Sequence, residues 1–336
     1  MLIFTVRRLL AAIPVLLAAS IFTFLLVEVA PGDPLEPLRV RQPPVPETTI
    51  QATTERLYLD RSIVERYWLW LTGLGDTNGD IGLLQGKWGP AMSGVDIGAE
   101  LGERILITLR LVLAATLLSI LVGIVTGVVS AVRQYSKTDY ALTFLGFLGL
   151  AMPTFWIAAF MKEFGIWFNQ TLGVDFFATI GATSSGYERM DFLEKVGDVA
   201  GHLLLPTATL MLTGYAAISR FQRGAMLEVL NSDYVRLARA KGLRNRIVMR
   251  RHALRTALIP IATVAAPLVA TSVSGAVITE TVFRWRGMGQ YLVDSVRAAE
   301  SFKVMAIILV LGFMVVIGNL VADLLYAVLD PRIRYE

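Results

Sequence analysis

The sequence holds no cysteine, two histidines, and few charges for its length: 17% of its 336 residues are Asp, Glu, Lys or Arg. Without cysteine there is no disulfide, no thiolate nucleophile and no cysteine metal ligand. With only His202 and His252, a histidine-based metal site is poorly supported, and no metal site is expected. A soluble globular protein carries about 25% charged residues. A chain that is 55% hydrophobic, with a mean hydropathy of +0.60, reads instead as a polytopic membrane protein. The net charge of +4 is too modest to argue for nucleic-acid binding, and no nucleic-acid partner is expected.

What is present are long apolar runs. A spanning helix needs about 20 mostly apolar residues. Six charge-free runs qualify or nearly do: Leu9 to Val27, Leu111 to Val132, Tyr140 to Met161, Val199 to Ser219, Thr256 to Thr279, and Val304 to Ala322. Backbone groups in a bilayer must satisfy one another within the segment, so these read as helices. A membrane β-barrel needs roughly 10-residue alternating segments, which these are not. The first run is 19 residues long, beyond the roughly 7–15 of a signal-peptide core, and no small-x-small cleavage site closes it. It reads as a retained first span.

Six spans put both termini on one side. Arg7 and Arg8 precede the first run, Arg133 and Lys137 lie between the second and third, and Arg332 and Arg334 follow the sixth. Residues 220–255 carry ten Lys or Arg against two acids, whereas 162–198 carry three basic residues against six acids. The positive-inside rule then places both termini and the 220–255 segment in the cytoplasm. Segment 280–303 is less clean, with four basic residues against three acids. The sequence organises as an N-terminal span (1–30), an extracellular cap region (31–100), and a core of five spans (101–330) with a cytoplasmic loop at 220–256. In the cap, PGDP at 31–34 and PPVP at 43–46 read as turns or extended chain. Leu59, Ile63, Tyr67, Trp70 and Leu71 fall at helical spacing, and GDTNGDIGLLQGKWG reads as a glycine-rich loop.

The 231–260 stretch, NSDYVRLARAKGLRNRIVMRRHALRTALIP, packs eight Lys or Arg between Arg236 and Arg255, with no acid between Asp233 and Glu280. Charge alone fits a loop that only fixes orientation, or a helix lying on anionic lipid. The detail asks for more structure. Asn231 or Ser232 can cap a helix, and Asp233 suits its positive end. Tyr234, Leu237, Ala238 and Lys241 share one narrow face, with small Ala238 and Ala240 allowing close approach. Gly242 suits a left-handed position just past the helix end. A second helix can begin near Asn245 and run toward Thr256.

DYVRLARAKGL followed by HALRTALIPI closely resembles the cytoplasmic coupling loop of bacterial ABC importer permeases of the dipeptide, oligopeptide and nickel group. In ABC permeases generally this loop reads Glu-Ala-Ala, three residues, Gly, nine residues, Ile-x-Leu-Pro. Here Arg236 stands in the Glu place and Leu237 in that of the first Ala. His252, Leu254 and Arg255 take the Ile, Leu and Pro places. These departures are usual in the peptide group, whose loop reads YVRTARAKGL and HALRNALLP. RRLLAAIPVLL…PGDP, the 108–139 stretch, AMPTFWIA, ETVFRWRGMGQYLVD and NLVADLLYAVLDPRIR extend the resemblance, to the B-type subunit, over nearly the whole chain. Residues 35–95 and 165–200 match poorly, and Arg286 stands where the family often has Pro.

The resemblance implies an all-α fold of six transmembrane helices of the type I importer (MetI-like) class, in the bacterial plasma membrane. It implies a non-catalytic permease that works with a homologous second permease subunit, two ABC ATPase domains, an extracellular substrate-binding protein and membrane lipid. No cofactor is expected in the chain itself; ATP and Mg belong to the ATPase partners. GLLQGKW at 82–88 lacks P-loop spacing, and Trp88 stands where Ser or Thr would hold magnesium. The coupling residues implied are Tyr234, Arg236, Leu237, Ala238, Arg239, Ala240, Lys241, Gly242 and Leu243, seated in a groove of the ATPase. Di- or oligopeptides are the default substrate; nickel, haem, opines and sugars stay open. The competing class is a secondary transporter driven by an ion gradient. It calls for paired charges or broken helices near mid-bilayer, and the apolar runs are nearly free of charge at their centres.

Among the remaining residues, Glu28, Glu280 and Asp323 sit at the ends of apolar runs and read as interfacial. Asn319 reads as a helix–helix hydrogen-bonding residue, and His202 as an interfacial one. Pro153, Pro206, Pro260 and Pro267 kink or start spans. The aromatics at 67–70 form cap core, or a docking patch for the binding protein.

Overall fold

The computed structural model describes residues 2–30, 33–76 and 79–329. The expectations that rest on Pro31 and Gly32, on Thr77 and Asn78, and on Arg332 and Arg334 lie outside those residues, as does the side chain of Pro267.

The described chain is helical apart from a two-residue antiparallel pair. Helix α1 (Leu2–Val29) is followed by α2 (Glu36–Arg39), α3 (Glu47–Arg56) and α4 (Ile63–Thr72). Strands β1 (Ile81–Gly82) and β2 (Lys87–Trp88) pair Ile81 with Trp88. Then come α5 (Ile97–Val132), α6 (Lys137–Ala151), α7 (Thr154–Leu172) and α8 (Phe192–Leu230). After α9 (Asp233–Ala240) follow α10 (Asn245–Ile247), a π-helical turn (Val248–Ala253), α11 (Leu254–Ala257), α12 (Ile259–Phe283), α13 (Met288–Arg297) and α14 (Ser301–Leu329).

Among the described residues four helices are long and apolar enough to cross a membrane: Thr5–Val29, Ile97–Val132, Phe192–Leu230 and Ser301–Leu324. They become five if α6 and α7, bent by 114° at their junction, count as one span. The expected kink or helix start at Pro153 bends one of the six runs. The third run, Tyr140 to Met161, breaks at Met152–Pro153. Met152 is extended (φ −86°, ψ 130°) because the proline ring bars its predecessor from the helical region, and Pro153 starts α7. The fifth run lies in α11 and α12, the latter a 25-residue helix, Ile259–Phe283. Pro206, by contrast, sits inside the continuous α8, and Pro260 falls in the first turn of α12.

The chain divides into two compact units. One comprises Met1–Thr5, Leu109–Trp285 and Val315–Glu336. Within it α8 packs against α6, α7, α11 and α12. Helix α5 approaches α8 at backbone distance. A Cβ on Gly127 would lie 2.6 Å from the Ser219 carbonyl oxygen and 2.7 Å from Gln222 Cβ. Small residues permit such approach, and hydroxyls then bridge the helices: Thr126 Oγ1 donates to Ser219 Oγ at 3.0 Å, and Ser119 Oγ to the Met211 carbonyl at 3.2 Å. His202 is buried, its Nδ1 2.9 Å from the Asp198 carbonyl oxygen. The hydrogen bond expected of Asn319 is not made by its Oδ1, which is buried without a partner among the described residues.

The other unit comprises Val6–Thr108 and Arg286–Met314. Arg66 on α4 donates through Nη1 to both oxygens of Glu28, at 3.0 and 2.8 Å, so Glu28 has a near-buried partner. Ser62 opens α4 with a capping box to Glu65, and Gly73 closes it at φ 69°. Trp70 and Leu69 are core, Tyr67 Oη bonds Ser20 Oγ at 2.9 Å, and Tyr67 meets Phe24 edge-on. Of the aromatics at 67–70, Trp70 is core and Tyr67 half-buried, whereas Trp68 is exposed; Ile63, placed on that face from its spacing, is exposed too, and Arg66 takes the inward position. At the start of α14, Lys303 Nζ lies 3.5 Å from Glu100, 3.4 Å from Glu300 and 3.0 Å from Ser93 Oγ. Tyr291 Oη donates to Glu100 in the same cluster. Burial, reinforced by that carboxylate, pushes the phenol well above its ordinary range.

The α5–α8 contact generates a stability test. Gly127→Leu should lower the apparent Tm of the detergent-solubilised protein by an amount matching overpacking, at least about 1–3 kcal/mol. Gly102→Leu, where an added Cβ meets nothing within 4 Å, should leave it unchanged. Equal melting of the two variants would contradict the close approach.

Candidate coupling surface at residues 231 to 258

Helix α8 ends at Leu230, and one residue of extended chain, Ser232 (φ −71°, ψ 151°), turns into α9. Ser232 holds the N-cap position, but its hydroxyl donates back to the Val229 carbonyl rather than capping α9. Asp233 occupies the first turn, where a negative charge suits the helix end. The far end is closed by backbone alone. The Gly242 N–H donates to the Arg239 carbonyl (2.9 Å) and the Leu243 N–H to the Ala238 carbonyl (3.4 Å). These are the two bonds of a Schellman motif, with Gly242 at φ 74°. The expected left-handed glycine is observed at the C′ position, with Lys241 as the C-cap.

The distribution of apolar side chains on α9 differs from the expected single face. Val235 and Ala238 are 0% and 6% exposed, and join Ala131, Met226, Val248, Ala253 and Ala257 in one buried cluster. Tyr234 and Leu237 are 43% and 56% exposed. Ala238 was expected beside Leu237 on a face offered to a partner; it is instead turned into the chain's own core. The reason is helical geometry. Positions i and i+3 form a stripe, and Val235, left out of the expected face, supplies the second inward apolar residue. The outward face keeps Tyr234, Leu237 and Lys241, with Leu243 and Ile247 exposed beyond the glycine. Arg236, Arg239, Ala240 and Gly242 are also exposed. Arg236 lies 3.5 Å from Asp233, an exposed pair of little energetic consequence.

The second helical segment begins at Asn245 as expected, but widens into the π-helical turn Val248–Ala253. Such turns are rare and concentrate at functional sites. Val248 and Ala253 point into the cluster, while Arg250 and Arg251 stay exposed.

Above α9 sits a polar junction that reading the chain as separate segments did not find. The carboxylate of Asp139, in the first turn of α6, accepts Arg223 Nε at 3.0 Å on Oδ1 and Arg223 Nη2 at 2.9 Å on Oδ2. Ser130 Oγ donates to Oδ1, and the Tyr135 N–H to Oδ2 at 3.0 Å. Ser136 caps α6 through the Asp139 N–H. The run SKTD at 136–139 carries that local cap signal; the Arg223 partner, 84 residues on, has none. Among the described residues no group of three or more histidine or carboxylate side chains could hold a metal ion.

Comparison with known proteins follows this geometry. Residues 107–335 match the family described as binding-protein-dependent transport system inner membrane component, and residues 1–82 match the N-terminal domain of the same components. The oligopeptide transport system permease protein OppB of Mycobacterium tuberculosis (strain ATCC 25618 / H37Rv) is 39% identical over 328 residues, covering 98% of each chain. The oligopeptide permease AppB of Bacillus subtilis (strain 168) is 34% identical over 336 residues, 99% of each. The dipeptide permease DppB of Alkalihalophilus pseudofirmus is 34% identical over 352 residues, 100% of each. Among solved structures, an inward-facing conformation of the MetNI methionine ABC transporter superposes with a TM-score of 0.54 at 16% identity, covering 69% of this chain and 96% of that one. That likeness establishes a shared helical membrane fold.

The two faces of α9 make a discriminating pair of variants. Ala238→Trp should destabilise the isolated chain, shown by a lower apparent Tm, because a ring must enter a packed cluster. Leu237→Ala should shift stability by no more than about 0.5 kcal/mol, as expected for an exposed site. The opposite ranking would mean that α9 is turned the other way.

Proposed function

The chain belongs to the family of binding-protein-dependent transport system inner membrane components, and from that premise we propose how its parts serve transport. It is a non-catalytic permease subunit of an ATP-driven importer, not an ion-gradient-driven transporter. Its cargo, following the relatives named for oligopeptides and dipeptides, is peptide. Its partners are a homologous second permease subunit, two ATPase domains that bind ATP and Mg, and an extracellular binding protein. Six spans result if α6–α7 counts as one bent span and α12 as another. The charge distribution then favours cytoplasmic termini, a cytoplasmic 220–256 loop and an extracellular 31–100 region.

One observation carries the coupling role. Helix α9 is fixed from behind by Val235 and Ala238, and presents Tyr234 and Leu237 outward among basic residues. A short helix pinned on one side and apolar on the other fits a groove in a partner. The central apolar pair supplies the binding energy, and Arg236, Arg239 and Lys241 form a rim that steers approach. Because α9 is bonded end to end with α8 and packed on the π-helical turn, a displacement of α9 moves those elements as a body.

Co-purification of the ATPase with tagged permease, together with ATP-dependent uptake, tests this reading. Leu237→Asp should cost about 2 kcal/mol or more, a loss of roughly thirtyfold in association. Arg239→Ala should weaken association mildly, with the greater effect at low salt. Gly242→Val places a β-branched residue at positive φ, a strain of about 1–3 kcal/mol, and should reduce uptake more than assembly. If Arg239→Ala abolishes assembly while Leu237→Asp is silent, the loop works as a charged patch instead.

Orientation is checked separately, since the chain has no cysteine of its own. Gln51→Cys, at an exposed position of α3, should react with impermeant maleimide added to intact cells. Asn245→Cys should react only after lysis. The reverse pattern inverts the topology.

A further inference from the structure

The unit containing α5 to α12 has a cleft of about 340 Å³ between the α5–α6 turn and the end of α8, within the size range of ligand pockets. Its charge is unbalanced. Arg223 and Asp139 neutralise each other through the bidentate pair, and both carboxylate oxygens are taken up by further donors. Arg220, also lining the cleft, is exposed and has no carboxylate partner among the described residues; its guanidinium lies 5.1 Å from the centre of the Phe147 ring. Tyr135, Tyr140 and Thr143 also line the cleft, the Thr143 hydroxyl donating to Asp139. The result is a recess with one net positive charge and an aromatic wall of Tyr135, Tyr140 and Phe147.

An apolar stripe leads away from it. Tyr140, Phe144, Phe147 and Leu148 fall at i, i+4, i+7 and i+8 on α6, and all four are exposed. Tyr140 and Phe147 belong both to the stripe and to the cleft. A cationic recess continuous with an exposed aromatic and aliphatic stripe on a membrane helix matches one amphiphile in both halves. We propose that the cleft binds the phosphate headgroup of an anionic phospholipid, with its acyl chains laid along the α6 stripe. Basic pockets between membrane helices take such headgroups, and tyrosines at the rim suit the interfacial depth. The proposal rests on reading α5 to α8 as membrane-embedded. The lipid bridges α6 to α8 beside the Asp139–Arg223 junction, so it would stiffen the route from α9 into the spans.

The test uses the permease assembled with its partner subunits in vesicles of phosphatidylcholine containing a minor fraction of phosphatidylglycerol. Lipid retained after extraction in mild detergent is counted by native mass spectrometry, with ATP-driven uptake measured in parallel. Phosphatidylglycerol should be retained in preference to phosphatidylcholine, and excess inorganic phosphate should not displace it. Arg220→Gln should reduce that retention about fivefold, the effect of one basic group at an anionic surface. Gly224→Trp keeps every charge. An added Cβ there meets nothing within 4 Å, so the ring can fill the cleft, and it should abolish the preference.

Wild-type retention in both variants overturns the site. Displacement by inorganic phosphate overturns the lipid as its occupant. Loss of the second permease subunit from both variants, with lipid retention unchanged, would assign the cleft to a protein contact. A complex without uptake that still prefers phosphatidylglycerol speaks against the transport reading alone; active transport without the preference speaks against the lipid site alone.

Discussion

The bidentate contact between Asp139 and Arg223 is the constraint around which the 109–285 unit is arranged. A carboxylate as buried as Asp139 is costly unless its oxygens are satisfied, and here five donors converge on two oxygens. Apart from Thr143, one turn on in α6 itself, the donors come from three places: Ser130 at the end of α5, the turn residue Tyr135, and Arg223 on α8. Satisfying one charge therefore fixes the relative position of three helices. Breaking such a pair by removing one partner typically costs about 3–5 kcal/mol, because the remaining charge is stranded. The glycine-mediated approach of α5 to α8 at Gly127 lies one turn before Ser130 and depends on the same alignment.

How much of this was legible follows from the range of each interaction. Apolar runs, the glycine past α9 and the restart at Asn245 are local features, and each was readable from spacing and residue type. The break at Met152–Pro153 sits inside a charge-free run, so hydropathy reads through it. Only the proline's effect on the preceding residue marks it. The split of α9 into two apolar faces was hidden for a different reason. Tyr234, Val235, Leu237 and Ala238 allow two overlapping stripes, and the choice between them is made by Met226, Val248 and Ala253, which lie elsewhere in the sequence. In the other unit the same effect turns Arg66 inward in place of Ile63, because Glu28, 38 residues earlier, supplies its partner.

The 231–258 segment leaves α8 and returns to α12 by different kinds of connection. The α9 end is closed by a Schellman motif and anchored by two buried side chains. The return passes through a π-helical turn, where the hydrogen-bond register is one residue wider than in the flanking helices. Val248 and Ala253, the first and last residues of that turn, lie in the buried cluster. If α9 is seated in an ATPase as proposed, its link to α12 runs through both the Schellman turn and the π-helical turn, whereas Asn231 and Ser232 alone join it to α8, itself tied to α5 and α6 through Asp139.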